Sequence, residues 1–551
     1  MKIFKYIKNI SYSAIAFGAI ACISSCEDML DKKPTGQFTD SQLDNESVEG
    51  LMSSAYAGLE AHFFGNNEAF SGPSTNWIFD VRSDDAYKGG GGVSMEANIH
   101  QLEISNLTSD NASNFNKWRN NYYAISRVHQ AMNAISSAEG VENKDVYLAE
   151  LKLLRAYFYF DLIRIFERIP YITETDDAKT VRYDEFTRDE IFGFIKGDLK
   201  DAWDKLPENQ EAVGRFNRYV AAALMAKVCA FTSDWASVVE YADYVIGSHK
   251  YELYDNYCDM SKIEFNNRKE SIMAIQFSTA NDNAHINWSN LLNTTYSEGN
   301  LFGNGDDFFL ASQNLVNAFR TDEKGLPYLD TFNDVKVTSD YEGNVDPRLD
   351  FTVGRIGFPF RGHTYTMGWC RAYDVYGEYS GKKGLIDPQS SDMVQGFPWG
   401  ASSLNFCLIR YADILLLKAE ALIEQGTDLG TARSLINDVR NKAKRSIDAN
   451  YSPVELNPLK ANYSVEPYPE SGWTQEYARK AVRMERRLEL AMEGNRWFDL
   501  VRWGVVVDVV NKYMQSEAAL RPYYEGASIS EDEIFLAIPL SEVENSGGLY
   551  E

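Results

Sequence analysis

The sequence predicts a mainly α protein: a tetratricopeptide-like scaffold of paired helices carrying one large, irregular, loop-rich insert. Three observations predict it. Apolar residues recur at helical spacing through 114–250 and again through 410–503. Between these regions, residues 254–408 show little helical periodicity and hold 14 of the 37 glycines, the residue that marks turns. The composition, 44% hydrophobic and 24% charged, is ordinary for a globular chain and excludes disorder over most of the 551 residues.

The elements follow in order. Residues 114–137 place Trp118, Tyr122, Ile125, Val128, Met132 and Ile135 on one helical stripe. Residues 144–167 form a second helix whose apolar side is broad enough to bury most of its faces. Thr187-Arg188-Asp189-Glu190 is a capping box that opens a third helix, which runs through Trp203 and is closed by Pro207. A fourth covers Tyr219 to Phe231, and a fifth runs from Trp235 to Gly247. Short connections make neighbours antiparallel, and stacked pairs of this length suggest tetratricopeptide-like repeats. Within 254–408, Glu270 to Phe277 (ESIMAIQF) fits a short strand. Helix resumes at Arg410 and ends at Gly426, a C′ glycine, with a partner at 428–444. Residues 474–503 form a long charged helical stretch with a break near Gly494. The tail is a short apolar segment and an exit turn.

That charged stretch carries Arg483, Glu485, Arg486, Arg487, Glu489, Glu493, Arg496, Asp499 and Arg502. Their offsets of three and four predict ion pairs along a helix face, a structural role.

The chain opens differently. Lys2, Lys5 and Lys8 precede an apolar run from Ile10 to Ala21, too short to span a membrane and fitting a secretory leader. Ile23-Ser24-Ser25-Cys26 then resembles a bacterial lipobox. The resemblance implies cleavage before Cys26 and its lipidation; several acyl chains on one residue anchor stably where one is marginal. The alternative is a plain signal peptide with an incidental cysteine. Glu27, Asp28 and Asp31 resemble the surface-export signal of Bacteroidetes lipoproteins and fit a solvated tether equally well. The expected plan is therefore 1–25 leader, 26–50 lipidated terminus and tether, 51–253 N-terminal helical region, 254–408 insert, and 409–551 C-terminal helical region. No later stretch approaches 18 uninterrupted apolar residues. Cys229, Cys258, Cys370 and Cys407 show no CxxC spacing and no disulfide framework.

A formal charge of −26, or −29 once the leader and its three lysines are gone, repels phosphate backbones and anionic headgroups. It tilts only slightly toward neutral glycans, because salt screens such repulsion beyond roughly 8–10 Å. No GxSxG, P-loop, HExxH or GxGxxG motif is present, and the six histidines are dispersed, so no metal or cofactor is expected. Asn304-Gly305-Asp306-Asp307 lacks EF-hand spacing. A glycosidase needs two positioned carboxylates, and among 80 acidic residues some pair always looks suitable.

An ordered set of segments resembles the SusD/RagB family. It comprises LAELKLLRAYFYFDLIRIFERIPYI, DWASVVEYADYVIGSHKYEL, Asp346-Pro347-Arg348-Leu349, the Arg410 helix with ALIEQG, DVRNKAK, ERRLELAMEGNRWFDLVRWG and LAIPLSEV. The tail departs from the family pattern at Glu544-Asn545-Ser546-Gly547-Gly548. The resemblance implies a non-enzymatic outer-membrane lipoprotein facing the cell exterior. It implies a ligand, an oligosaccharide or polysaccharide, and a partner, a SusC-like TonB-dependent transporter on which the protein sits as a lid. A peptide-binding protein on the same scaffold is the first alternative, and a surface glycoside hydrolase or lyase the second.

Candidate ligand residues come from the tryptophans. Trp118, Trp203, Trp235, Trp497 and Trp503 lie in helical patterns and read as structural; Trp473 precedes a helix and fits a staple. Trp77, Trp288, Trp369 and Trp399 lie in non-periodic stretches rich in Gly, Asn, Ser and Pro. In residues 74–92 (STNWIFDVRSDDAYKGGGG), Trp77 would stack on a sugar face. Asp80, Arg82, Asp84 and Asp85 would bond vicinal hydroxyls, and Gly89 to Gly92 would make the loop mobile. The family resemblance adds that the binding face draws on this early loop and on the insert, which favours Trp77 and Asp84, then Trp288 and Tyr296.

Overall fold

The computed structural model describes residues 45–550 except 61–71, 281–285, 288–292, 297–301, 304, 395, 398 and 449–453. The leader, Cys26 and Trp288 lie outside the described residues.

The helical scaffold is a continuous stack. Helices Ala112–Ser137, Lys144–Ile165, Arg188–Lys205, Arg218–Phe231 and Trp235–Gly247 each pack on the next. Their starts follow from side-chain caps. The Asn111 amide oxygen accepts from Ser113 and Asn114 N–H groups, Thr187 closes a complete capping box with Glu190, and Asp234 caps Ser237. The stack then crosses the insert. Trp235–Gly247 packs against Tyr411–Gln425, which packs in turn on Leu429–Arg445 and Gln475–Glu489. Gly426 ends the first of these at φ +64, the left-handed conformation a C-terminal glycine supplies.

Two helices at the ends of the chain were not expected. Asn45–Tyr56 lies partly within the expected tether, yet Val48, Met52 and Ala55 are buried and the helix packs on Ala112–Ser137. The scaffold therefore begins by residue 45. Val506–Glu517 buries Val510, Tyr513 and Met514 beyond the charged stretch.

The insert leaves and rejoins the scaffold through one antiparallel pair, Ser271–Ile275 with Phe406–Arg410, so its two ends are tied together. The first of these is the strand expected in ESIMAIQF. A second antiparallel pair joins Ala86–Gly89 to Phe308–Ala311 and clamps the N-terminal region to the insert. The rest is turns, short helices such as Gln313–Ala318, and two-residue strands. Among the described residues no helix is long and apolar enough to cross a membrane.

The charged stretch divides as expected near Gly494, into Gln475–Glu489 and Arg496–Arg502. Its ion pairs run elsewhere than expected. Glu485 meets Arg348 and Arg440; Glu489 meets Arg348, Arg410 and Lys442; Arg486 meets Asp413 and Asp499; Arg502 meets Glu420. Asp499–Arg502 is the pair that stays on one helix. The role is structural, but the charges point inward and bind other elements. Burial alone would raise the Glu489 carboxyl; Lys442, Arg410 and Arg348 instead hold it well below the usual carboxylate range. A buried charge is tolerated only with several such partners.

Candidate ligand-binding face

The 74–85 segment is a brace rather than a loop. Trp77 opens a five-residue helix, Trp77–Val81, is 6% exposed, and packs on Phe309 with ring centroids 5.2 Å apart. It lines a solvent-open cleft with Asn76, Tyr254, Phe265 and Phe406.

The polar residues expected at a sugar's edge are 1–2% exposed and engaged with the protein itself. Asp80 accepts from the N–H groups of Gly494 (2.7 Å) and Arg496 (3.2 Å). Arg82 donates to the carbonyls of Ile534 (3.0 Å) and Glu533 and lies 4.1 Å over the Trp497 ring. Asp84 pairs with Arg496 at 2.8 Å and Arg487 at 3.0 Å, and Asp85 with Arg487 at 2.8 Å. Burial would raise Asp84, but Arg487 and Arg496 pull its carboxyl down to about 2. The expectation that Asp80, Arg82 and Asp84 bond hydroxyls is corrected accordingly. Their hydrogen bonds tie residues 80–85 to segments some four hundred residues away in sequence.

The glycine run is also held. Gly89 and Gly90 have φ of +79° and +76°. A Cβ on Gly89 would lie 2.3 Å from the Asp307 carbonyl oxygen, and one on Gly90 would lie 2.6 Å from the Phe308 ring. Glycine serves a tight approach here rather than mobility. Lys88 Nζ donates to the carbonyls of Gly89 and Gly92 (both 2.9 Å) and of Met95 (2.5 Å), fixing the turn from below.

Aromatic side chains reach solvent on the insert instead. The Tyr296 N–H donates to the Trp369 carbonyl at 3.1 Å. The Arg371 guanidinium lies 5.0 Å from the Tyr296 ring centroid and pairs with Asp306. Gly91 stands against Arg371: a Cβ there would sit 3.2 Å from Nε. Trp369 is half-buried, set edge-on against Tyr365, Phe360 and Phe302 at 5.6–6.3 Å. Tyr296 is 37% exposed, Tyr373 39% and Met367 55%. Trp399 is half-buried beside the 51%-exposed Phe397, and its carbonyl accepts from Thr294 Oγ1 at 3.4 Å.

The structure thus brings Tyr296, Trp369 and Arg371 together, joins Trp399 to them through the 294–296 segment, and sets Trp77 apart on the cleft. Aromatic rings in this setting match the C–H faces of a sugar. The Arg371 guanidinium and Asp306 carboxylate match hydroxyls at its edge. Sequence reading missed Arg371, Asp306, Met367 and Tyr373. The one signal was an arginine two residues after Trp369 and an Asp pair in a glycine-rich turn. Among the described residues no group of three or more His, Cys, Asp or Glu is placed to hold a metal ion.

Comparison with known proteins agrees with this architecture. Residues 269–551 match a family model described as the SusD family, and residues 28–229 match one described as starch-binding, associating with outer membrane. SusD-like protein P2 of Formosa agariphila is 24% identical over 494 residues, 87% of each chain. A SusD-like protein of Bacteroides ovatus is 25% identical, covering 91% of this chain and 83% of its own. Among solved structures, a laminarin-binding SusD-like protein superposes with a TM-score of 0.68 at 21% identity, over 92% of this chain and 98% of its own. Surface glycan-binding protein A from Bacteroides thetaiotaomicron, in complex with laminarihexaose, gives 0.69 at 18% identity, over 92% of this chain and 99% of its own. The structural likenesses carry the fold.

Proposed function

The chain belongs to the SusD family, and on that premise we propose that it is a cell-surface glycan-binding lipoprotein without enzymatic activity. In this reading Cys26 carries the acyl anchor in the outer membrane. The mature protein captures an oligosaccharide or polysaccharide at the extracellular face and delivers it to a SusC-like TonB-dependent transporter. Family membership and glycan-binding structural relatives support the binding role; the leader and the ISSC motif support the anchor.

The observation that carries the reading is the partly exposed Tyr296–Trp369–Arg371 group, with Trp399 beside it. Trp288 joins it as a proposal from sequence alone. Losing one stacking platform costs about 1–3 kcal/mol, taking base stacking as an analogue, or roughly five- to a hundred-fold in affinity. Capture at a membrane surface works at micromolar to millimolar strength, on the order of −8 to −4 kcal/mol, so such a loss abolishes detectable retention.

The test is affinity electrophoresis on a polysaccharide panel that begins with laminarin. Retention of wild type without new reducing ends, lost in Tyr296→Ala and Trp369→Ala, is the expected result. New reducing ends would make the protein a hydrolase or lyase. Binding to peptides and to no glycan would favour the alternative ligand class.

A further inference from the structure

Asp307 sits where the segments of the proposed face meet. Its N–H donates to the Thr294 carbonyl at 2.9 Å, and its carbonyl accepts from the Gly90 N–H at 2.8 Å. Its carboxyl Oδ2 accepts from the Arg371 N–H at 2.9 Å, and Oδ1 accepts from Ser380 Oγ at 3.4 Å. One residue therefore links the Gly90 turn, the 293–296 segment, the Arg371 loop and the Ser380 strand. It does so at φ +58°, a left-handed conformation that costs a non-glycine residue free energy unless its surroundings hold it. The approach of Gly89 leaves no room for a side chain between them. The Arg371 guanidinium pairs with Asp306.

We propose that Asp307 is the positioning residue of the ligand-binding face: a buried carboxyl that latches its loops together when protonated and loosens them when ionised. The ligand role of the face rests on the reading above; the latch is a property of the protein alone.

Titration fits this geometry. Burial lifts the Asp307 carboxyl to about 7, against the lowering effect of the Arg371 N–H and Ser380. The charged and titratable groups on the elements around it are Lys88, Tyr296, Asp306, Tyr365, Cys370, Arg371, Glu378 and Lys382. Burial lowers Lys88 only to about 8, raises Cys370 to about 12 and moves Tyr365 higher than its usual range. These therefore change charge above the Asp307 window. An opened face exposes Asp307 to water, where it titrates near 4. The closed face thus binds the extra proton between about pH 4 and pH 7. Opening becomes easier as pH rises through that interval and levels off above it.

The test is amide hydrogen exchange of Gly90 and Arg371 in the full chain without ligand, corrected for the intrinsic pH dependence of exchange. In wild type, protection at both amides is expected to fall at least about tenfold from about pH 4.5 to about pH 7.5. Asp307→Asn keeps one acceptor oxygen for the Arg371 N–H and cannot ionise, so its protection stays high and flat. Asp307→Ala loses protection at Arg371 at every pH, while amides of the Tyr411–Gln425 helix are unchanged. A parallel fall in wild type and Asp307→Asn, or wild-type protection in Asp307→Ala, would overturn the proposal. If Asp307→Ala does not fold, the Asn comparison decides alone. Flat exchange with platform-dependent glycan retention sinks the latch only, and intact retention in Tyr296→Ala and Trp369→Ala sinks the ligand face only.

Discussion

Two regions of this molecule use the same side chains to opposite ends. At the brace, Asp80, Arg82, Asp84 and Asp85 meet Arg487, Arg496 and Trp497, with one guanidinium 4.1 Å over an indole ring. On the insert, Asp306, Arg371, Tyr296 and Trp369 meet, with a guanidinium 5.0 Å from a phenol ring. Both are acidic residues, arginines and aromatics in glycine-rich sequence. The brace buries them and bonds each of them to other segments of the chain; the insert leaves ring surface in water. Composition does not tell a binder from a brace. What decides is which faces and polar atoms stay available after the chain folds.

That contrast can be broken in order of expected effect. Asp84→Ala leaves Arg487 and Arg496 buried beside a lost partner, which costs about 3–5 kcal/mol. Denaturant melts should show that loss, while the folded fraction keeps its glycan retention; an unchanged melt would show that the brace does not hold the fold. Trp77→Ala removes a buried indole packed on Phe309 and should cost about 3 kcal/mol, with retention preserved. A normal melt with lost retention would move the ligand to the cleft that Trp77 lines.

On the exposed side the signs reverse. Tyr296→Ala should weaken retention by roughly five- to a hundred-fold, about 1–3 kcal/mol, and lower stability by less than about 1 kcal/mol. Equal retention would remove Tyr296 from the face. The last way to break the contrast concerns pH. The Asp307 carboxyl is raised in the fold, so the folded state holds its proton longer than the unfolded chain. Its contribution is present below about pH 4 and is lost as pH rises to about 7. Asp307→Asn should therefore stabilise the protein at neutral pH and do little in acid. Calorimetry at the two pH values checks this, and an equal shift at both would contradict it.

Much of the scaffold was legible because its causes are local. The Thr187 box, the Gly426 cap and the Gly494 break each act within a few residues, and the structure places all three where the sequence pattern does. The Trp77–Val81 helix was not legible, since five residues show no period. Nor was the fate of Asp80 and Asp84, whose partners lie some four hundred residues on. The offsets of Glu485, Arg486 and Glu489 correctly mark a shared helix surface, but that surface faces the core, so partners on other elements win over neighbours on the same helix. The start of the Asn45–Tyr56 helix was hidden by its position: Val48 is spaced to pack with Met52 and Ala55, yet residues 45–50 follow the lipobox so closely that they read as tether. Tyr296 and Trp369 were found as aromatics in irregular sequence, whereas Arg371 and Asp307 needed the loops to be brought together.

The most direct measurement is one affinity gel that runs wild type, Tyr296→Ala and Trp77→Ala on the polysaccharide that retains wild type, with thermal melts of all three. The expected result is crossed: Tyr296→Ala migrates freely and melts like wild type, and Trp77→Ala is retained and melts early. Retention of Tyr296→Ala together with free migration of a normally melting Trp77→Ala would contradict the assignment of the insert as the binding face and of the 74–85 segment as its brace.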